Sequence, residues 1–418
     1  MIIRDAIHGD IELTQDEAKV LDSPELQRLR AIKQLGTAYL VYPGCTHTRF
    51  EHSLGTMAVS KRIIEAIQDS GQRVSAQTKK LISIGALLHD VTHIPFGHTF
   101  EDERKIFSRH DKGIRLEHFL HKDGPLGRIL ASIGLLNEIA PLLNGKSQDW
   151  PAQIISSALD ADLLDYLRRD AYMAGLAQTY DPRIFRHFHV EEGQLALNMV
   201  KHNMDRPDVK SEILHLLRLR YYLTERVYFH HAKVVSGAMI SKALEIALEY
   251  GLQEQDLLYL GDYTLFEHLR NLGSKHQPAI RELIEAVEKR RLLKRAYILS
   301  AETLNRQERA ALIERYHQGG SARAKLEAEI SLAAGLQPSQ VIVYCPGDRA
   351  FREAAIPVLT KDGLRKLNAL TPSPPEDIQY LERQYEKLWR LYVFAPDSQL
   401  DLVNNICHEF FGHPSEHW

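Results

Sequence analysis

Apolar residues recur every three or four positions through most of the first 300 residues, the period of helices with one buried face. Strand-like alternation is scarce there. Thr14 with Glu17 reads as a capping box opening one helix, and Ser23 followed by Pro24 as the cap and first turn of the next. Residues 54–68, 77–90, 153–173 and 211–250 read as further helices, and Asp160 as a cap. The loop His93-Ile94-Pro95-Phe96-Gly97-His98 interrupts the pattern, because proline removes a backbone donor and glycine admits unusual dihedrals. After about residue 296 a charged helical stretch leads into strand-like runs at Val341-Ile342-Val343-Tyr344, from Ala354 to Leu359, and at Leu391-Tyr392-Val393-Phe394. The expected fold is mainly α: a helical body over 1–295 and a smaller C-terminal α+β lobe over 296–418. Within the body the pattern predicts a core of about 1–190 and a helical extension over 191–295.

Bulk properties narrow the function classes. The 418 residues, 44% hydrophobic and 26% charged, suit two or three units with large buried cores and leave no polar tract to disorder. A formal net charge of −3 argues against broad electrostatic binding to nucleic acid. No stretch approaches the roughly 20 apolar residues that span a bilayer, and MIIRDAIHGD has no apolar signal region. Cys45, Cys345 and Cys407 are far apart and match no zinc spacing. A cytoplasmic protein with structural thiols is expected.

The chemistry is concentrated in histidines. His89, His93, His98, His110 and His118 fall within thirty residues, and His89 is followed at once by Asp90 at the end of the apolar run LISIGALL. Neutral imidazole and carboxylate are both good ligands for a borderline divalent cation. His52, in RFEHSLGT, is a third candidate ligand. The fourth lies in DADLLDYLRRDAYMAG, where Asp162, Tyr166 and Asp170 are spaced i, i+4, i+8 and share one helix face. Singly, each has a plainer explanation: a helical histidine more often satisfies a carbonyl, and a tyrosine more often packs in the core. A separated His, an adjacent His-Asp pair and a distal Asp together point to metal ligation.

That set resembles the H…HD…D signature of the HD-domain phosphohydrolase superfamily. The strings LQRLRAIKQLG, YPGCTHTRFEHSLGT, GALLHDVTHIPFGHTFE and LDADLLDYLRRDAYMAG are similar to its deoxynucleoside triphosphate triphosphohydrolase branch almost block by block. The likeness continues through RYYLTERVYFHH and KRRLLKRAY, and more weakly into the lobe. The resemblance implies His52, His89, Asp90 and Asp162 as ligands of a divalent metal ion, whether Mn, Fe, Ni, Zn or Mg. It implies His93 and His110 beside the scissile phosphorus, with Glu101 where the family usually has an aspartate that orients a catalytic histidine. Arg49, His98, Tyr166 and Arg220 match phosphate contacts, and Gln34, Leu35, Asp170 and Tyr228 match groups that hold or stack on the sugar. A second ion held among His93, His98, His110 and His118 is a further expectation.

Two departures bear on the substrate. Leu163 follows the distal ligand where some triphosphate hydrolases carry a phosphate-binding lysine, and the family's YxHK ends here as Tyr228-Phe229-His230-His231. The expected activity is hydrolysis of a deoxynucleoside triphosphate to deoxynucleoside and inorganic triphosphate; the alternatives are a phosphatase for nucleoside monophosphates or other phosphoesters, and a non-catalytic nucleotide sensor. The basic run Lys289, Arg290, Arg291, Lys294 and Arg295 reads as a solvated helix face, with a regulatory nucleotide as the sharper alternative. Dimers or tetramers are expected from the resemblance and from amphipathic faces between 211 and 295.

Overall fold

The computed structural model describes residues 1–110, 114–348, 351–370 and 376–416. The capped N-termini stand where the pattern puts them: Glu17 closes the box with Thr14, and Ser23 accepts the Leu26 amide ahead of Pro24. Three helices carry the histidines and aspartates. Arg49–Asp69 starts behind a Thr48–Glu51 capping box, Ala76–Leu88 ends at His89, and Ala161–Met173 starts at Asp160, whose side chain takes the Leu163 amide at 2.7 Å.

Two of the helices read from periodicity are broken. The 153–173 stretch is two helices, Trp150–Ile155 and Ala161–Met173, because Ser156 turns extended and Asp160 caps the second. The 211–250 stretch divides into Pro207–Leu223, a widened π-helical turn Thr224–Tyr228, and His231–Glu249, with the His230 ring accepting the Ala232 amide at the second start. Apolar spacing resumes after each interruption, so periodicity alone cannot register it.

The body also holds strands too short for alternation to stand out. Ile2–Asp5 pairs with Gly9–Glu12, and Phe188–Glu191 with Gln194–Asn198. The second turn sits on Glu192 and Gly193, both at positive φ, as a two-residue hairpin requires. In the lobe, Arg390–Ala395 is the central strand of an antiparallel sheet, between Lys294–Ser300 and Ile342–Tyr344. The strand expected near 354–359 forms as Pro357–Thr360, after a short helical turn, and it joins the body instead. It pairs in parallel with Gln194–Asn198 and antiparallel with Gly363–Lys366 in a four-stranded sheet. Phe351, Val358, Ile378 and Tyr385 share one apolar core with Val59 and Ile63 of the Arg49–Asp69 helix.

The helix His231–Glu249 is buried among Ile280, Leu283, Ile284 and Val287 of the same chain. The amphipathic faces between 211 and 295 are thus largely covered internally. No single helix among the described residues is long and apolar enough to cross a membrane. Cys45, Cys345 and Cys407 are free and buried.

Lobe and body are joined by a cluster of buried charge. Arg104 bonds Glu327 at 3.1 Å, the Val343 carbonyl at 2.7 Å and Glu245 at 3.2 Å, while Lys242 reaches the other Glu327 oxygen at 2.7 Å. Glu327 is fully buried, so removing it takes the carboxylate partner from Lys242 and leaves Arg104 with Glu245 and the Val343 carbonyl. Glu327→Ala is expected to lower unfolding free energy by about 3–5 kcal/mol, measured by urea titration; a loss under about 1 kcal/mol, the scale of a surface pair, would deny the cluster its structural role.

Candidate metal centre and adjoining cavity

His52, on the first turn of its helix, and His89, just beyond the end of another, aim their Nε2 atoms at each other across 3.1 Å. Asp162 enters from the third helix, its Oδ1 2.9 Å from His52 Nε2 and 3.8 Å from His89 Nε2. Asp90 Oδ1 lies 3.5 Å from His89 Nε2, while its Oδ2 takes Arg49 at 2.6 Å. Donor atoms of His52, His89 and Asp162 lie within 4.8 Å of one another, and two nitrogens with a carboxylate oxygen suit a borderline divalent cation. The surroundings favour positive charge at this point. Burial opposes charge on His52, but carboxylates at both ring nitrogens, Asp162 and Asp165, outweigh it and hold its pKa up at about 10. Burial likewise opposes ionised Asp90, yet Arg49, His89 and His93 keep it well below the usual carboxylate range.

Behind these ligands lies a layer that the sequence reading missed. Asp165 accepts His52 Nδ1 at 2.8 Å, His8 Nε2 at 2.6 Å and a two-pronged contact from Arg169, which in turn grips Asp5. Outer partners of this kind fix the ring orientation of a ligating histidine. Gly55 makes the layer possible: a Cβ there would fall 1.9 Å from Asp165 Oδ1 and 2.3 Å from the Arg169 guanidinium. Arg28, half-buried over the Phe119 ring, donates to the carbonyls of Val91 and His93 and holds the loop after the His-Asp pair. The spacing of Asp165 and Arg169 at i, i+4 was a signal available within the quoted string; the contributions of Asp5 and His8 had none.

The centre opens into a cavity of about 420 Å³. Gln34, Leu35, Arg49, His89, Asp90 and His93 line it, together with His98, His110, Asp162, Tyr166, Asp170, Arg220 and Tyr228. Of the residues read from the sequence, His52 and Glu101 sit behind the wall, fully buried. His93 and His110 lie with ring centroids 3.7 Å apart, and His98 is 4.7 Å from His93. Burial, then the charges of Arg49 and His110, push His93 well below the imidazole range, so it stays neutral. His110 Nδ1 meets Glu101 Oε2 at 3.0 Å; despite burial, that bond and the neighbouring histidines hold Glu101 ionised. His93, His98 and His110 also bring three nitrogens within 4.8 Å, whereas His118 stands apart against the Tyr259 hydroxyl.

On the opposite wall, Asp170 is held at both oxygens, by His47 at 2.8 Å and the Tyr228 hydroxyl at 2.7 Å. Arg220 stands over the rings of Tyr166 at 5.1 Å and Tyr228 at 5.6 Å. Lys33 and Lys233, which the sequence reading did not single out, add two cations to the rim. Gln34 Oε1 is buried and finds no hydrogen-bond partner among the described residues.

Helix ends that gather His52, His89 and Asp162 around one point, with Asp90 beside His89 and a cavity adjoining, form a candidate metal site of the H…HD…D type. Residues 49–170 match the HD domain family and 183–417 the HD associated region, and the chain belongs to the HD-domain phosphohydrolase superfamily. An uncharacterized protein of Methanocaldococcus jannaschii is 30% identical, over 98% of this chain and 84% of its own length. Human deoxynucleoside triphosphate triphosphohydrolase SAMHD1 is 28% identical over 60% of this chain, and the match spans 45% of that protein. A solved phosphohydrolase from Bacteroides thetaiotaomicron has the same fold, with a TM-score of 0.71 at 22% identity, covering 95% of this chain and 99% of that one.

Asp162→Ala is expected to abolish metal retention, because the remaining ligands lose a charged donor facing the cation. Gly55→Ala, which touches no ligand, is expected to weaken metal affinity by about 10- to 100-fold through displaced Asp165. Elemental analysis after dialysis checks both, and parent-like stoichiometry in Asp162→Ala would overturn the ligand assignment.

Proposed function

We propose that this protein hydrolyses deoxynucleoside triphosphates, releasing deoxynucleoside and inorganic triphosphate. The observation that carries the reading is a cavity lined by His89, Asp90 and Asp162, by His93 and His110, and by the Asp170–Tyr228 pair, with His52 and Glu101 directly behind its wall. The dNTPase named among its relatives supports the same chemistry. His52, His89, Asp90 and Asp162 would hold a divalent cation, which supplies Lewis-acid polarisation of a phosphoryl oxygen and acidifies water.

The chain's own groups do the rest. Arg49 and Arg220 neutralise phosphate charge, with His98 and Tyr166 as further phosphate contacts. Asp170, pinned by His47 and Tyr228, accepts a 3′-hydroxyl, and Tyr228, Gln34 and Leu35 pack the sugar so that a 2′-hydroxyl has little room. Burial and then Asp170 raise the Tyr228 pKa well above its ordinary value, so the phenol remains a donor. His110, steadied by Glu101, gives a proton to the departing 5′-oxygen, and neutral His93 sits beside it as acceptor. A nucleotide partner, dimers or tetramers, a regulatory nucleotide and a cytoplasmic setting belong to the same reading and rest on the family likeness.

A second reading, a nucleoside monophosphatase, is favoured by the two departures. Leu163 is buried in the apolar core, and His231 stacks on His230 with ring centroids 4.4 Å apart, so neither adds a fixed charge for a phosphate tail. A phosphate-release assay over nucleoside mono-, di- and triphosphates with several divalent metals separates the readings. The triphosphatase is expected to release inorganic triphosphate from deoxynucleotides alone; ribonucleotides cleaved equally fast at saturation would remove the sugar assignment, and binding without turnover would make the protein a sensor. His110→Ala is expected to lower turnover about 100- to 10,000-fold with metal content unchanged, and a change within threefold would return His110 to a structural role.

A further inference from the structure

The histidine array continues, away from the cavity, into buried charge that the scheme above does not use. Glu101 Oε2 meets His110 Nδ1 at 3.0 Å, and its other oxygen takes the guanidinium of Arg115. Arg115 Nε donates to Glu254 Oε1 at 2.6 Å. Glu101 is 0% and Arg115 1% exposed, so neither can exchange its partner for water. Arg115 belongs to the short helix Ile114–Phe119, and Glu254 opens the helical turn Glu254–Leu257 in the extension. Gly97 closes the arrangement from the loop: a Cβ there would lie 2.9 Å from His93 Nδ1 and 3.2 Å from Glu101 Oε1.

A glutamate at 101 has one more rotatable bond than an aspartate, and a single hydrogen bond to His110 leaves its carboxylate free to turn about a soft terminal torsion. A charged Nη1–H on the second oxygen, from a guanidinium that Glu254 holds at Nε, removes that freedom. We propose that Arg115, anchored by Glu254, is a positioning residue that fixes the Glu101 carboxylate and so pins His110 Nδ1–H, leaving Nε2 for proton transfer in the cavity. The catalytic consequence rests on the role proposed for His110; the positioning itself does not.

The test uses the full-length protein labelled with 15N-histidine, with the His110 signals identified by their loss in His110→Ala. The parent is expected to show a single His110 arrangement in which Nδ1 always carries its proton and Nε2 alone carries or releases the transferred one. Arg115→Met and Arg115→Lys should move both ring-nitrogen shifts towards a mixture of tautomers, and Glu254→Gln part of the way. With dGTP and manganese, Arg115→Met should lower kcat roughly 10- to 100-fold, with KM within about twofold, the scale of effect from a misplaced catalytic group. It should add no further loss to His110→Ala, a non-additivity that general loosening does not produce. Unchanged His110 signals in Arg115→Met would overturn the inference, as would kcat losses that multiply with those of His110→Ala. If Arg115→Met loses its fold by circular dichroism, Glu254→Gln decides, and unchanged His110 signals there overturn the inference equally. A silent His110→Ala beside altered His110 signals in Arg115→Met would instead count against the catalytic role of His110 and leave the positioning inference standing.

Discussion

The whole site depends on how closely the helix Arg49–Asp69 approaches the helix Ala161–Met173 at Gly55. The absent side chain at that position is what admits Asp165 and Arg169 between the two helices. Asp165 is then free to hold His52 from behind while Asp162, one turn earlier on its helix, meets the same ring from the front. An imidazole bracketed by two carboxylates in a dry interior is a place where positive charge is favoured, and the helix packing rather than any loop sets that geometry. The N-terminal hairpin adds to this constraint, since Asp5 and His8, far away in sequence, complete the same buried network.

Charge is arranged differently on the two sides of the cavity. Around the metal centre the carboxylates outnumber the cations they face, and each is held in place by an arginine or a histidine. On the opposite wall Arg220 stands over the rings of Tyr166 and Tyr228, beside the Asp170 carboxylate. A ligand with an anionic end and a flat, hydroxylated end matches that division, and electrostatic preorganisation of this sort operates without reorganising the protein during reaction. The buried cluster around Arg104 ties the segment that begins at Thr99 to the C-terminal lobe, so the lobe is structurally continuous with one wall of the cavity.

Much of this was legible in the residues before any coordinates. The candidate ligands could be read from the joint pattern of His52, the His89-Asp90 pair and Asp162, with the exhausted apolar run and the Asp160 cap placing the last two at helix ends. The i, i+4, i+8 spacing of Asp162, Tyr166 and Asp170 survived as one face turned to the cavity. What could not be read depends on contacts between distant parts of the chain. His8 is 157 residues from Asp165, and Arg115 is 139 from Glu254, separations over which local patterning carries no information. The four-residue hairpin strands are too short to distinguish a period of two from 3.6, and Pro357–Thr360 returns to the body because its partner strand lies there, not because of its own composition.

The central claim is that water attacks the α-phosphorus and the bond to the 5′-oxygen breaks. Hydrolysis of dGTP in water enriched in 18O, with the products weighed by mass spectrometry, addresses it directly. The account predicts one 18O atom in inorganic triphosphate and none in deoxyguanosine. Label found instead in orthophosphate, in pyrophosphate or in the 5′-hydroxyl of the nucleoside would contradict it.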